Sequence, residues 1–458
     1  MYNAAQLNQR RFPNSAAWIS ILCIAQPILD ILSYWLAMLP HGTVISLGLR
    51  MLILALTIVF AWMLSDHKKG MLLTCAVLVV FWVFHAGNCC LIGYQNPASD
   101  FINYARTAQI PVMTLCLIIL LRQTQEPLPL LEKLFAVSLY LIALISLIAI
   151  LTGTTVYSYP KWKVGYSGWF GWTNSQSAIY AVLTVFSVFP AMIRKDWIRS
   201  GLRAAVGFLL LFFLGTRLAY GVICLIAVSS IICMLLVRRF DWRPALIILA
   251  LAALCAGCYK LSPMAVNQRL FQESVAEQQK TADDSDLSLD ALYEKYMSAM
   301  VDRFGMDAVK DVYHNSRDVS VIGDVRLYKI NYCKMVMSHL PFSSKLFGFE
   351  LAETRHQQSI FDVENDFHGI YFLYGLVGLA LLLGYLIYFA AKALFGLFKT
   401  DSAEKRIWLL AACVCAVILL INSYFSASVL RRPNASFYLS ITLAIVSFLT
   451  EGRERSSV

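Results

Sequence analysis

Apolar runs long enough to cross a bilayer recur along the chain, pause for a polar stretch of roughly one hundred residues, then resume. The runs are 16–39, 43–64, 70–87, 108–121, 134–153, 176–193, 202–213, 218–237, 244–260, 369–391, 406–425 and 434–450. They predict an all-α, polytopic membrane protein of about twelve spans, nine before the polar stretch and three after it. Two runs, 108–121 and 202–213, are short for a bilayer, so each is expected to extend into its polar flanks, or the second to break near Gly215. The first run, Ala16–Leu39, lacks a small-residue cleavage site and resembles the other spans, so it is expected to stay as a span. The chain thus divides into a transmembrane block over 1–262, a large loop over 263–367 and a second block over 368–458.

The loop itself has two parts. Residues 263–300 are polar, with helical stretches such as SLDALYEKYMSAMVDRFG, and suit a lid or a variable excursion. Residues 312–349 are more structured. Val325 to His339 predicts an amphipathic helix on the membrane surface, stopped by Pro341, with a turn at Gly348.

Of the 458 residues, 59% are hydrophobic and 14% charged, as lipid-embedded helices require. With the N-terminus placed inside, nineteen Lys/Arg fall on inner segments and six on short outer ones. That bias puts both termini in the cytoplasm and the long loop outside. The net charge of +10 is therefore mostly topology and gives no case for a nucleic-acid partner. The loop is acidic, with 17 Asp/Glu against 11 Lys/Arg. Eleven of the twelve cysteines lie in or beside spans, leaving Cys333 alone in the loop, so no disulfide within the loop is expected. No clustered Cys/His set in the loop suggests a structural metal, and no nucleotide or zinc-protease motif occurs, so neither cofactor nor metal is expected. Two outer connections, His85–Pro111 and Thr152–Ser177, are rich in aromatics, Gly, Asn and Ser, which suits either an interface belt or a sugar-facing surface.

The segment FDVENDFHGIYFLYGLVG runs from carboxylates and a histidine straight into an apolar helix. It resembles the signature of bacterial O-antigen ligases and the related Wzy-type polysaccharide polymerases. In those proteins a His-Asn pair opens a span, and glycines follow eleven and fourteen positions after the His. Here Glu364 occupies the His slot, Asn365 the Asn slot, and Gly375 and Gly378 the glycines. FFLGTRLAYG, with Thr216 and Arg217, resembles a second short element, and Ser316-Arg317-Asp318 followed by Pro341 and Gly348 a third. Glu in the His slot is similar to a divergent branch found in Gram-positive capsule and exopolysaccharide loci. The resemblance implies a GT-C-type membrane glycosyltransferase in the bacterial cytoplasmic (inner) membrane. Its donor would be a polyprenyl-diphosphate-linked oligosaccharide and its acceptor a glycan hydroxyl. Membrane lipids and other polysaccharide assembly proteins would be its partners.

Such a reaction needs a base, positive charge for the leaving diphosphate and an apolar groove for the lipid. Glu364 is the first candidate base, because partial burial beside an apolar helix raises a carboxyl pKa toward the useful range. Asp366 would orient the acceptor or tune Glu364. His368 is the alternative base, one helical turn beyond Glu364 and so placed to face the same cavity. Against this, Glu364 and Asp366 could simply cap the helix. Arg217, between two apolar stretches, suits a diphosphate clamp, or it snorkels. Arg317, Arg326, Asn365 and Arg431 are the further candidates for diphosphate or glycan contact, with solvated surface charge as the plain alternative for the arginines. Asp30 and Arg50 form either a polar path or a structural bridge, and Asn422, Tyr424 and Arg432 either line the site or anchor the surface.

Three other functions compete. A flippase or transporter of lipid-linked glycans would favour pseudo-symmetric halves, whereas the halves here are unequal. A different lipid-linked glycosyltransferase would carry acidic metal ligands in an early outer loop, where Asp100 stands nearly alone. A non-catalytic assembly component would not need Glu364, Asp366, His368 and Arg217 at membrane boundaries.

Overall fold

The computed structural model describes residues 15–65, 68–194, 196–237, 242–281, 287–427 and 429–451. Apolar sequence in lipid must satisfy its backbone internally, and helices do so. Eight spans come first: α1 (Ser15–Leu36), α2 (Gly42–Leu64), α3 (Lys68–Ile92), α4 (Pro97–Arg122), α5 (Pro127–Leu151), α6 (Thr173–Ile193), α7 (Trp197–Leu214) and α8 (Arg217–Val237). The apolar helix α9 (Arg243–Gly257) has only 15 residues. The polar stretch then folds as α10 (Pro263–Thr281), α11 (Leu289–Phe304), α12 (Met306–Val312), α13 (Val319–Ile322), α14 (Val325–His339) and α15 (Phe342–Phe347). Three spans close the chain: α16 (Asp366–Lys399), α17 (Ala403–Ser426) and α18 (Pro433–Thr450). Eleven described helices are therefore long and apolar enough to span, where about twelve were expected, and α9 is the shortfall.

Both short apolar runs lengthen as their flanks allow. The α4 run begins at Pro97, where the Asn96 side chain caps it by accepting from Ser99 N at 3.1 Å. The α7 run begins after Asp196, which caps Arg199 N at 3.0 Å, and ends at Gly215 in the left-handed region, φ 66°. Thr216 then caps α8 by accepting from Ala219 N at 3.1 Å. Gly-Thr-Arg is thus a stop, a cap and a first helical residue.

Helices α6 and α18 are buried along nearly their whole length, while α2 and α3 lie outermost. Small and hydroxylated residues permit the close approach. A β-carbon at Gly207 of α7 would meet Thr184 Oγ1 of α6 at 2.1 Å. At the end away from the loop, Glu132 is buried between Arg194 (2.9 Å) and Arg203 (2.7 Å), and Glu451 pairs with Arg122 and Lys392. Two short antiparallel hairpins complete the structure: β1 (Tyr157–Tyr159) with β2 (Val164–Tyr166), and β3 (Arg355–His356) with β4 (Ser359–Ile360).

The loop docks on the α3–α4 corner through its backbone. His85 Nδ1 meets Phe347 O at 2.7 Å, and Asn88 Nδ2 donates to Gly348 O at 2.7 Å. In return, Asp100 Oδ1 accepts from Leu351 N, and Glu350 accepts from Gln95 N and Asn96 N. Polar groups of an irregular segment are thereby satisfied where water is scarce. The same turn crosses α16. Phe349 N donates to Phe372 O at 3.1 Å, and α16 kinks at Gly375, φ 66° and ψ −170°. A β-carbon at Gly375 would lie 2.3 Å from Leu346 O, and one at Gly348 would lie 2.2 Å from Leu373 O.

Gly375→Ala is therefore expected to cost more than the roughly 1–2 kcal/mol of a left-handed non-glycine residue, because backbone atoms must also separate. Thermal unfolding of detergent-purified protein should show a clear drop, with lipid-facing Leu376→Ala changing little. Equal melting of both variants would refute the crossing as the reason for this glycine.

Candidate active site

The site is built where α14 meets the turn before α16. Asp324 starts α14 by accepting from Arg326 N and Leu327 N. Tyr332 of α14 stacks on Phe361, centroids 3.7 Å apart and planes at 9°. Arg303 of α11 bonds Tyr332 and Glu353 and fixes that stack from behind. With Tyr332 against Phe361, the residue three before the first meets the residue three after the second. Lys329 Nζ donates to Glu364 Oε1 at 2.8 Å, and Arg326 Nε donates to Glu364 Oε2 at 3.2 Å.

This pairing reverses one expectation. Burial pushes the Glu364 carboxyl up, but Lys329 and Arg326 outweigh it and hold the group below the ordinary glutamate value. In the free protein Glu364 is a well-held anion, and Arg326 is its partner. Lys329 escaped the sequence analysis. Its signal was the three-residue spacing from Arg326, which puts both cations on one face of α14.

Asn365, and neither acid, caps α16, its side chain accepting from His368 N at 3.0 Å. Glu364 therefore lies before the helix, and the expected one-turn relation to His368 does not hold. His368 is half-buried, stacks on Phe372, and leaves Nδ1 buried with no partner.

Asp366 is fully buried and turns away from Glu364. Its Oδ2 accepts from Val429 N and Leu430 N, and its Oδ1 from Arg431 Nε at 3.1 Å. Arg431 donates further to Asp362 Oδ1 at 2.5 Å and Val363 O at 2.6 Å. Gly369 makes room, since a β-carbon there would lie 2.6 Å from Arg431 Cζ. Burial pushes the Asp362 carboxyl up, but Arg431 draws it below the usual range. The Arg431 fork is spent on protein, so the ligand-contact role expected of it is corrected to a clamp. Asp366 belongs to the same clamp, because both of its oxygens accept from the 429–431 segment.

The remaining candidates lie apart. Arg217 is exposed at the first position of α8, near Tyr159, and no hydrogen bond or ion pair joins it to Glu364 among the described residues. A cation at a helix N-terminus is unfavourable, so its pairing with the dipole does not explain it. Arg317 is exposed and donates to Leu287 O at 2.6 Å. Asp30 and Arg50 form a bridge at 2.6 Å, which Gln176 and Asn434 join on the other carboxylate oxygen. Asn422 is buried against Ser177, and Tyr424 is exposed. Arg432 lies over the Trp172 ring at 4.2 Å.

Among the described residues, His85, Cys89 and Asp100 are the one group whose ligand atoms lie within metal-holding range, 4.8 Å of one another. They are buried and already bonded: His85 Nε2 to Asp100 Oδ2 at 2.8 Å, with Tyr94 OH donating to the same oxygen. Asp100, nearly alone in sequence, is thus a joint between α3, α4 and the loop.

Eleven described helices long and apolar enough to span, one large polar loop packed against them, and a carboxylate held by two cations just before a spanning helix define a multi-pass membrane protein with a charged site at a helix entrance. The chain belongs to the O-antigen ligase-like membrane protein family, whose model matches residues 15–450. No curated protein matches it.

Asp366→Ala leaves a buried guanidinium and two amides short of partners and is expected to cost about 3–5 kcal/mol. Glu364→Ala, whose carboxylate is part-exposed, should change stability by under about 1 kcal/mol. Melting curves check this; an Asp366→Ala protein as stable as wild type but inactive would return Asp366 to the chemistry.

Proposed function

We propose that the chain is a GT-C-type glycosyltransferase of the bacterial cytoplasmic membrane, with both termini cytoplasmic and residues 263–367 outside. It moves a saccharide from a polyprenyl-diphosphate-linked donor to a hydroxyl of a glycan acceptor, as an exopolysaccharide, capsule or O-antigen ligase or polymerase does. The family membership supports this reading. The observation that carries it is Glu364 held by Lys329 and Arg326 at the loop–bundle boundary.

The acceptor oxygen attacks the anomeric carbon while the bond from that carbon to the diphosphate oxygen breaks. The electron pair leaves with the polyprenyl diphosphate, and the hydroxyl proton goes to a base. Lys329 and Arg326 suit the leaving diphosphate, since both carry donors and Arg326 can grip it with two. An arriving diphosphate competes with Glu364 for them. As they turn to phosphate, Glu364 loses the charges that hold its proton affinity down. It becomes the better base at the moment the acceptor must be deprotonated. His368, with its unpartnered Nδ1, positions the acceptor.

In neutral lipid nanodiscs with polyprenyl-diphosphate oligosaccharide, wild type should give elongated or transferred product on a gel. Glu364→Gln should lose about a hundredfold or more in kcat, and His368→Ala about tenfold. The rate should fall as acid protonates Glu364, and in kcat/KM this limb should lie below the ordinary carboxylate range. Lys329→Met should move it upward. A limb unmoved by Lys329→Met, or activity surviving Glu364→Gln but abolished by His368→Ala, would pass the base role to His368. Lipid-linked substrate crossing the bilayer with no transfer would favour a transporter.

A further inference from the structure

The joint that seats the loop has a conflict at its centre. His85 and Cys89 stand four residues apart on α3 and so share one helix face. Gly93, φ 97°, turns the chain after α3, and Asn96 starts α4 so that Asp100 comes back against that face. All three side chains are fully buried. His85 Nδ1 lies 2.7 Å from Phe347 O, which can only accept, so Nδ1 carries a hydrogen. The other ring nitrogen, Nε2, lies 2.8 Å from Asp100 Oδ2. That oxygen already accepts from Tyr94 OH at 2.9 Å, and Oδ1 accepts from Leu351 N at 3.1 Å. A nitrogen lone pair therefore faces a carboxylate oxygen unless a proton or a metal cation sits between them. Cys89 Sγ lies 3.6 Å from the same nitrogen.

Zinc fits this trio. It takes imidazole nitrogen, thiolate sulfur and carboxylate oxygen together at about 2.0–2.3 Å in a tetrahedron, which sets the ligand atoms about 3.3–3.6 Å apart. The three ligand atoms here all lie within 4.8 Å of one another. The Sγ–Nε2 spacing of 3.6 Å suits zinc as it stands, and the Nε2–Oδ2 spacing has to open by about 0.5 Å. Magnesium and calcium want oxygen ligands and a larger shell, which this trio does not offer. The charges also balance, since one thiolate and one carboxylate cancel a divalent cation, as burial demands. The outer bonds are those of a metal site: a ligating histidine commonly gives its second N–H to a carbonyl or carboxylate, as His85 does to Phe347 O. Tyr94 OH, bonded to Asp100, is placed to fill the fourth position or to hold a water there.

We propose that His85, Cys89 and Asp100 form a structural zinc site that locks the loop onto the α3–α4 corner. On binding, Nε2, Sγ and Oδ2 each give an electron pair to Zn²⁺. The thiol proton and the proton between Nε2 and Oδ2 leave to solvent, with no change of oxidation state. The consequence is mechanical. His85 holds Phe347 O and Asp100 holds Leu351 N, so a metal joining the two side chains fixes both ends of the turn that contains Gly348. That turn crosses α16 at Gly375, so the seat of the loop and the kink of α16 stiffen together. The cysteines and histidines of the loop pointed to no metal, and this set lies outside the loop. Its mark in the sequence is the four-residue spacing of His85 and Cys89, with an acid beyond the next turn. The metal would hold the loop whatever reaction occurs at Glu364.

Metal content and melting of the full, tag-free chain in neutral detergent test this without turnover. Chelator-stripped protein should take up about one Zn²⁺ per chain by elemental mass spectrometry. It should also melt at a higher temperature with Zn²⁺ added, and not with Mg²⁺ or Ca²⁺. Co²⁺ in place of zinc should give the absorption band of a thiolate-bound ion. Cys89→Ala should weaken zinc binding about a hundredfold or more, abolish the cobalt band and remove the zinc-dependent rise in melting. It spares His85 and Asp100, so a joint of hydrogen bonds alone would survive it unchanged. Cys90→Ala, exposed on the same helix, should behave as wild type. Where Cys89→Ala fails to fold, Cys89→Ser keeps the volume, loses the thiolate and carries the test. A stripped wild type that neither binds Zn²⁺ nor gains stability from it would overturn the proposal. So would zinc binding undiminished in the Cys89 variants, since the metal would then sit elsewhere.

Discussion

Two stretches 65 positions apart in sequence meet on one guanidinium. Arg431 bonds Asp362 and the Val363 carbonyl from the end of the loop and Asp366 from the start of α16, while Asp366 binds the amides of residues 429 and 430. A buried charge of this kind is tolerable only when its donors and acceptors are matched together. The cluster therefore behaves as a unit and fixes where the loop ends, where α16 begins and how the chain enters α18. Glu364 has its position because Val363 and Asn365 on either side are tied down, one by Arg431 and the other as a helix cap. The charged residues of this segment divide into those locked in the Arg431 cluster and the part-exposed Glu364.

A second constraint follows from lipid. A kinked helix and a non-helical turn at membrane depth expose backbone groups that water cannot reach. The crossing of Gly348 and Gly375 answers this by pressing two backbones together, and His85, Asn88 and Asp100 answer it by reaching from α3 and α4 to the turn. The two glycines matter for the same reason from opposite sides: neither segment has room for a β-carbon. The loop is thereby seated on the bundle at a fixed height, and α14 presents Lys329 and Arg326 at the level of Glu364.

Much of the architecture was legible because hydropathy and the 3.6-residue period act locally. The spans, the extent of α14 from Val325 to His339, and the break at Gly215 depend on nearby residues alone. The site was less legible because its charges pair across long separations. Lys329 and Glu364 are 35 positions apart, Asp366 and Arg431 are 65, and His85 and Phe347 are 262. Sequence shows that Glu364, Asp366 and Arg431 are costly near a membrane but not which neighbour meets the cost. Asp366 and Glu364 are two residues apart with similar chemistry, yet one is sealed under Arg431 and the other is open. Their distinction is purely three-dimensional.

Under the proposed function, that distinction bears on how a carboxylate would serve as a base beside cations that would hold phosphate. Lysine and arginine left unpaired at a membrane boundary would attract any anionic headgroup. A carboxylate between them lowers the field until a stronger anion arrives, and a diphosphate is stronger because it carries more charge and more acceptor oxygens. Under the proposed function that exchange would have two linked effects: the cations would turn to the leaving group and the carboxylate would recover its proton affinity.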